Sequence, residues 1–336
     1  MMGLRGSAPA FWTRPPGILS ALLTPVAWCV GRVAVKRLGK TGWKAPVPVI
    51  CCGNLTVGGT GKTTVVLDLV QRLQRRGQNV HVLTRGFGGA LRGPLQVDIK
   101  RHGIADVGDE ALLLASVAPC WIGADRGASA QAAIGAGATC LVMDDGLQNP
   151  SLEKSLSFII VDGYNGFGNM RVIPAGPLRV PVREGLAEGN AMIMIGHDSH
   201  NISKIAGDIP VLQAHLENGT AIQALEGKRV VAFAGIGRPG KFFQTLREAG
   251  VDPVHCVSFP DHHPYSLKDC QHLCGMAMKY GAVLATTPKD AVRWPTQAQM
   301  VVHGIPVALR WDDDAAMETL LDRILSVGQQ ESRANV

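Results

Sequence analysis

The stretch Val49–Ile50–Cys51–Cys52–Gly53–Asn54–Leu55–Thr56–Val57–Gly58–Gly59–Thr60–Gly61–Lys62–Thr63–Thr64 decides the fold. An apolar run that reads as a buried strand passes into a glycine-rich turn. The turn leads into Val65, Val66, Leu69, Val70 and Leu73 at helical spacing. Strand, glycine-rich turn and helix in that order make a phosphate-binding loop. Amide N–H groups and a helix N-terminus cradle phosphates, Lys62 reaches the terminal ones, and the Thr63 hydroxyl can hold Mg2+. The strict pattern asks for a glycine where Thr56 stands, and the match is complete from Gly58 onward. The expected nucleotide contacts are Thr56, Gly58, Gly59, Thr60, Gly61, Lys62, Thr63 and Thr64.

Strands and helices alternate outward from this loop. Strands are expected at 80–84, 140–143, 158–162, 191–194, 230–233, 254–257 and 283–285, and helices at 128–137 and 241–249. Gly108–Asp109–Glu110 opens a further helix with two acids in its first turn, which suits the positive end of the helix dipole. This alternation implies right-handed crossovers and parallel sheets covered on both faces. The fold class is α/β, P-loop NTPase-like, with parallel sheets flanked by helices. The expected division is a nucleotide-binding domain at 45–185 and a second α/β domain at 186–328, with a disordered tail at 329–336. Residues 163–181, rich in Gly, Asn and Pro, are expected to be irregular.

The chain has 336 residues, 46% of them hydrophobic, enough to bury cores in two such domains. Its net charge of +6 is not spread evenly. Arg5, Arg14, Arg32, Lys36, Arg37, Lys40 and Lys44 lie in residues 1–44, which hold no acid, so the remainder is nearly neutral. A charge confined to one short segment gives no nucleic-acid-binding face. The same segment carries Ile18, Leu19, Leu22, Leu23, Val26 and three tryptophans, Trp12, Trp28 and Trp43. Its uncharged run is shorter than the ~20 residues of a spanning helix, and Pro25 interrupts it. Apolar surface flanked by Trp, Arg and Lys suits peripheral docking at a membrane interface. A secretory signal is the poorer reading, because export would part a nucleotide-binding loop from its nucleotide. The eight cysteines read as small buried hydrophobes rather than ligands, Cys270 and Cys274 being one helical turn apart.

Asp144–Asp145 directly follows an apolar strand, the place of the acid that organises Mg2+ beside a phosphate loop. Phosphoryl transfer also needs a group to orient or deprotonate the attacking hydroxyl. Asp109 and Glu110 are candidates, and Asp261–His262–His263–Pro264–Tyr265 supplies an imidazole beside a carboxylate. Arg171, Arg179, Lys289 and Arg293 are further cations in Gly/Pro/Thr-rich loops.

Seven motifs then fall in order. They are the Gly53–Thr63 loop, Arg85–Gly86–Phe87, Gly108–Asp109–Glu110, Asp144–Asp145–Gly146–Leu147–Gln148, Arg171 with Pro174–Ala175–Gly176–Pro177–Leu178–Arg179, Phe259–Pro260–Asp261–His262, and Thr286–Thr287–Pro288–Lys289–Asp290. The series closely resembles the tetraacyldisaccharide 4′-kinase family of the lipid A pathway in Gram-negative bacteria. That resemblance implies ATP- and Mg2+-dependent phosphorylation of a membrane-embedded tetraacyldisaccharide 1-phosphate at the cytoplasmic face of the inner membrane, with the active site between two domains. It also implies that Lys62 and Thr63 bind phosphates and Mg2+, that Asp144 and Asp145 serve the Mg–ATP site with Glu110 assisting, and that Arg171 contacts phosphate or substrate. The resemblance further implies that Asp109 with His262 forms the pair that activates the sugar hydroxyl and that residues 1–44 dock the membrane. Two positions depart from the family's pattern: Asn149 stands where a histidine is common, and Thr64 where proline is common. A rival reading, a nucleotide-switched partition or metallochaperone ATPase, lacks its leading lysine because Val57 occupies that place.

Overall fold

The computed structural model describes residues 9–334 apart from 296 and 299. Among the described residues, thirteen strands form two sheets. In chain order they are β1 (Val49–Gly53), β2 (Val80–Thr84), β3 (Leu95–Gln96), β4 (Cys120–Ile122), β5 (Cys140–Asp144), β6 (Leu156–Asp162) and β7 (Ala191–Ile195). There follow β8 (Val211–Asn218), β9 (Val230–Ala234), β10 (His255–Ser258), β11 (Val283–Thr286), β12 (Val302–Gly304) and β13 (Val307–Trp311). The large sheet has the order β13-β8-β7-β6-β1-β5-β2-β4-β3, and the small one β10-β9-β11-β12. All neighbours are parallel except β3 on β4 and β13 on β8, both at edges.

β1 lies at the centre of the large sheet, between β5 and β6. Its side chains alternate between the two faces, as the two-residue period of a strand requires. Ile50 and Cys52 pack with Val65, Leu69 and Leu73 of the helix Lys62–Arg75. Val49 and Cys51 pack on the other side with Ala130 and Ala133 of the helix Arg126–Gly135. Burial on both faces explains why these central strands are unbroken apolar runs.

The expected boundary at 185 is corrected by the sheet itself. β7, β8 and β13 all belong to the large sheet, so the chain leaves it only after β8 and returns for β13. The small sheet is an insertion between them. The C-terminal helix Asp314–Ala334 then packs Met317 and Leu321 into the core beside the loop helix. The helix continues through residue 334 and so covers most of the expected disordered tail. Only residues 335 and 336 of that tail lie outside the described residues. Arg72 ties the two helices together through Asp68 (2.7 Å), Asp314 (2.6 Å) and Glu318.

The N-terminal basic segment is also corrected in detail; its first eight residues lie outside those described. Ile18–Leu38 is one continuous helix of 21 residues that runs through Pro25. By length and composition it is the one helix among the described residues that could cross a membrane. Ser20 donates to the Ala175 carbonyl (2.9 Å), and Gly31 lies over Val172 and Pro181. Ile18, Leu22, Val26, Trp28 and Val33 remain exposed. Trp12 is not part of that surface. It is buried, and its indole donates to the Pro174 carbonyl (3.1 Å).

Candidate active site

The loop from Asn54 to Gly61 closes over the end of β1, and its shape depends on glycine at two points. Gly58 (φ 123°) and Gly61 (φ 86°) adopt backbone conformations that side-chain-bearing residues rarely reach. The helix that begins at Lys62 has no side-chain cap, which leaves its first amides for an anion. The irregular segment 172–181 supports the loop from outside. Val57 N–H donates to the Pro177 carbonyl (2.8 Å), and Arg179 N–H to the Leu55 carbonyl (2.7 Å). Thr56, Thr60 and Thr63 are buried, Lys62 and Thr64 partly exposed, and Gly58 and Gly59 exposed. The Thr60 hydroxyl has no protein partner among the described residues.

Two acids at the end of β5 face this loop. Asp144 is 2% exposed, and its Oδ1 has no partner among the described residues. Burial and the charge of Glu110 push its carboxyl well above the usual carboxylate range, with Lys62 opposing. A buried carboxyl oxygen without a protein partner, with a second acid next to it in the chain, is the kind of hard oxygen donor that a divalent cation such as Mg2+ takes. Asp145 lies 3.7 Å from Lys62 Nζ and accepts from Arg179 at 2.9 Å. Burial works against its charge, but Lys62 and Arg179 outweigh burial and hold it below the usual range. Arg126, fully buried, donates to the Gly123 carbonyl and faces Asp144 and Asp145 electrostatically.

A second constellation joins the two sheets. Asp109 opens the helix Asp109–Ala115, and its Oδ2 meets His262 Nδ1 (3.0 Å) and Arg293 Nε (2.8 Å). Its Oδ1 accepts from the Glu110 amide (2.9 Å). Hydrogen bonding from His262 and the Arg293 charge overcome burial and hold Asp109 strongly ionised. The Asp109 hydrogen bond in turn raises the His262 pKa, with burial opposing. Beside it, Glu110 pairs with Lys289 at 2.5 Å. His263 turns away, pairing with Asp269 (3.2 Å) and stacking on Phe259.

The fold therefore brings together Lys62, Thr63, Asp144 and Asp145 at one end of the site, and Asp109, Glu110 and His262 at the other. Arg171 is exposed, and its side chain makes no hydrogen bond or ion pair among the described residues, so the fold does not tie it to either group. Arg179, Lys289 and Arg293, three cations whose loops alone did not distinguish them from solvated ones, each hold a site carboxylate. Membership of an ordered motif was the available signal for Arg179 and Lys289, whereas Arg293 lies beyond the last of them. Arg126 carried no such signal, since an arginine at a helix start usually faces water.

The family model described as tetraacyldisaccharide-1-P 4′-kinase matches residues 19–326. The chain belongs to the tetraacyldisaccharide 4′-kinase family. Relatives of that name include one from Gluconacetobacter diazotrophicus, 53% identical over 94% of this chain and 97% of its own length. Another, from Rhodospirillum centenum, is 51% identical over 95% of this chain and 97% of its own. The kinase fold is shared with the "apo" form of LpxK from Aquifex aeolicus in complex with ATP. That crystal structure has a TM-score of 0.76 and 24% identity, over 92% of this chain and all of that one. Asn149, one of the two positions set apart in the sequence, accepts from Ser151 and donates to the Ala124 carbonyl (3.1 Å). It knits two loops together and brings no charge.

Proposed function

We propose that this kinase transfers the γ-phosphate of ATP to the 4′-hydroxyl of a tetraacyldisaccharide 1-phosphate, a step of lipid A biosynthesis, at the cytoplasmic face of the inner membrane. The observation that carries the reading is the Asp109–His262 hydrogen bond, made between the sheets beside the phosphate loop. ATP in the Aquifex aeolicus relative supports the choice of nucleotide.

In this reading the large sheet binds nucleotide and the small sheet brings His262 to the acceptor. The loop from Thr56 to Thr64 and Lys62 hold the phosphates, while Arg126 and Arg179 offset charge around them. Thr63, Asp144 and Asp145 would hold Mg2+, which when bound neutralises charge on the β- and γ-phosphate oxygens. Asp109 and His262 orient the sugar hydroxyl and take up its proton. Glu110 assists by fixing Lys289, and Arg171 meets a phosphate. The exposed face of the N-terminal helix rests in the membrane interface as a peripheral contact, next to the segment 172–181 that supports the loop. Arg32 stacks on Trp28 at 4.9 Å, a pairing at home among lipid headgroups.

The test is phosphate transfer from γ-labelled ATP to detergent-dispersed tetraacyldisaccharide 1-phosphate, beside a Lys62→Ala control. A labelled bisphosphorylated lipid made only by the unaltered protein is expected. ATP hydrolysis without any lipid product would refute the reading and favour a nucleotide-switched ATPase.

A further inference from the structure

Arg293 lies just beyond the helix Pro288–Ala291, and its side chain is 2% exposed. A buried arginine needs paired charge, and this one has two carboxylates. Nη1 donates to Asp290 Oδ1 (3.0 Å), in that helix, and to the Gly235 carbonyl (2.8 Å), just after β9. Those two contacts already fix one edge of the guanidinium. Its other edge, Nε and Nη2, reaches out of the small sheet to Asp109 Oδ2, the oxygen that His262 also contacts. Asp290 is held in its turn by Tyr265 (2.9 Å), the Gly235 amide (3.0 Å) and Thr287 (2.6 Å).

An ionised carboxylate only accepts hydrogen bonds, so the imidazole nitrogen against it carries the proton. That nitrogen is Nδ1. Arg293 Nη2, which can only donate, also lies 3.4 Å from it. The shorter contact is the 3.0 Å one to Asp109 Oδ2, and a ring N–H satisfies that one, which leaves the neutral ring's free lone pair on Nε2. The Asp109 oxygens are filled by Glu110 N–H on one side and by Arg293 and His262 on the other. His262 is the exposed member of the group, its side chain 46% accessible against 7% for Asp109.

We propose that Arg293 is a positioning residue for phosphoryl transfer. It clamps Asp109 so that the carboxylate fixes His262 as its Nδ1–H tautomer and leaves Nε2 to take the proton of the sugar hydroxyl. The inference rests on the Asp109–His262 reading above and divides the labour within that pair. The hydroxyl O–H bond breaks with its proton passing to Nε2. The oxygen bonds to the γ-phosphorus, and the bond to the bridging oxygen breaks with its electron pair leaving on ADP. The imidazolium returns the proton to solvent afterwards. Besides Arg293, the charged groups around the pair are Asp261 on His262's own loop (Nε2 to Oδ1, 4.0 Å), Glu110 on Asp109's helix, and Lys289 and Asp290 on the Pro288–Ala291 helix.

The experiment compares full-length Arg293→Gln, Arg293→Lys, Asp109→Asn and the double variant Arg293→Gln/Asp109→Asn, with kcat, KM and the pH profile of each. Arg293→Gln is expected to lower kcat about tenfold to a hundredfold, the scale of a misplaced reacting group, with KM for ATP little changed. Loss of the guanidinium charge moves the acid limb of its profile to higher pH, since that charge favours neutral His262. In the Asp109→Asn background the same change should cost little more, because the two act as one unit. Arg293→Lys, which keeps the charge, should recover part of kcat and the original acid limb. Equal losses in both backgrounds, with an unmoved acid limb, would overturn the inference and leave a structural ion pair. If Arg293→Gln does not fold, Arg293→Lys decides: lowered kcat at preserved KM supports the clamp, and lowered melting temperature alone opposes it. Full turnover in His262→Ala would instead defeat the underlying reading, so the two failures are distinguishable.

Discussion

Asp145 and His262 both carry positive φ angles, 53° and 57°. For residues with a Cβ this conformation costs about 1–2 kcal/mol each, a cost that recurs at sites where a side chain must be aimed. Here one carboxylate is aimed at Lys62 and Arg179, and the imidazole at Asp109. Asp109→Ala and His262→Ala are each expected to lower turnover by about two to four powers of ten. Nucleotide titration should still give near-normal affinity in both, whereas Lys62→Ala should weaken it. The pair also has a pH signature. The Asp109 hydrogen bond lifts His262 above the ordinary value of about 6.5. The stability that the charged pair contributes is therefore full below pH ~6.5 and is lost as pH rises through the raised value. Turnover follows the opposite course, climbing through that value as the ring becomes neutral. An NMR titration of His262 should show the raised pKa, and Asp109→Asn should bring it down; no change between the two would break the coupling. The residue types of this site were legible in the sequence because phosphate chemistry demands them in ordered motifs. Which cation holds which carboxylate was not, because Arg179, Lys289 and Arg293 meet their partners only through long-range folding.

At the scale of elements, burial on both faces made β1, β5, β6, β7 and β9 legible as apolar runs. β8 and β13 were missed because they form a half-exposed antiparallel edge, pairing His215 with Arg310 and Glu217 with Ala308. Such strands carry charges on one face and look like loop. Pro25 misled for a different reason. Proline inside a helix costs about 3 kcal/mol, yet the contacts of Ser20, Ala27 and Gly31 with the protein hold this helix together across it. Its opposite face supports a prediction of its own. Leu22→Glu combined with Val26→Glu, both at exposed positions, should abolish co-sedimentation with anionic phospholipid vesicles while ATP binding persists. Unchanged sedimentation would remove the membrane role from this helix.

For the whole molecule, the C-terminal helix matters more than its position in the chain suggests. Leu321 is fully buried against the nucleotide-binding core, and Leu321→Ala should cost about 2–5 kcal/mol, read by urea unfolding. A change of a few tenths would mean that the helix packs loosely there. The small sheet, by contrast, enters and leaves the large one at a single place. The Gly219 amide donates to the Pro306 carbonyl at 3.2 Å, directly beyond the β8–β13 ladder. Those two strands are thus already arranged as the arms of a hairpin, and a short turn joining 218 to 307 would close it. The part of the protein that supplies His262 is a cassette set into the frame through one doorway, tied to it again by Asp109 and Glu110.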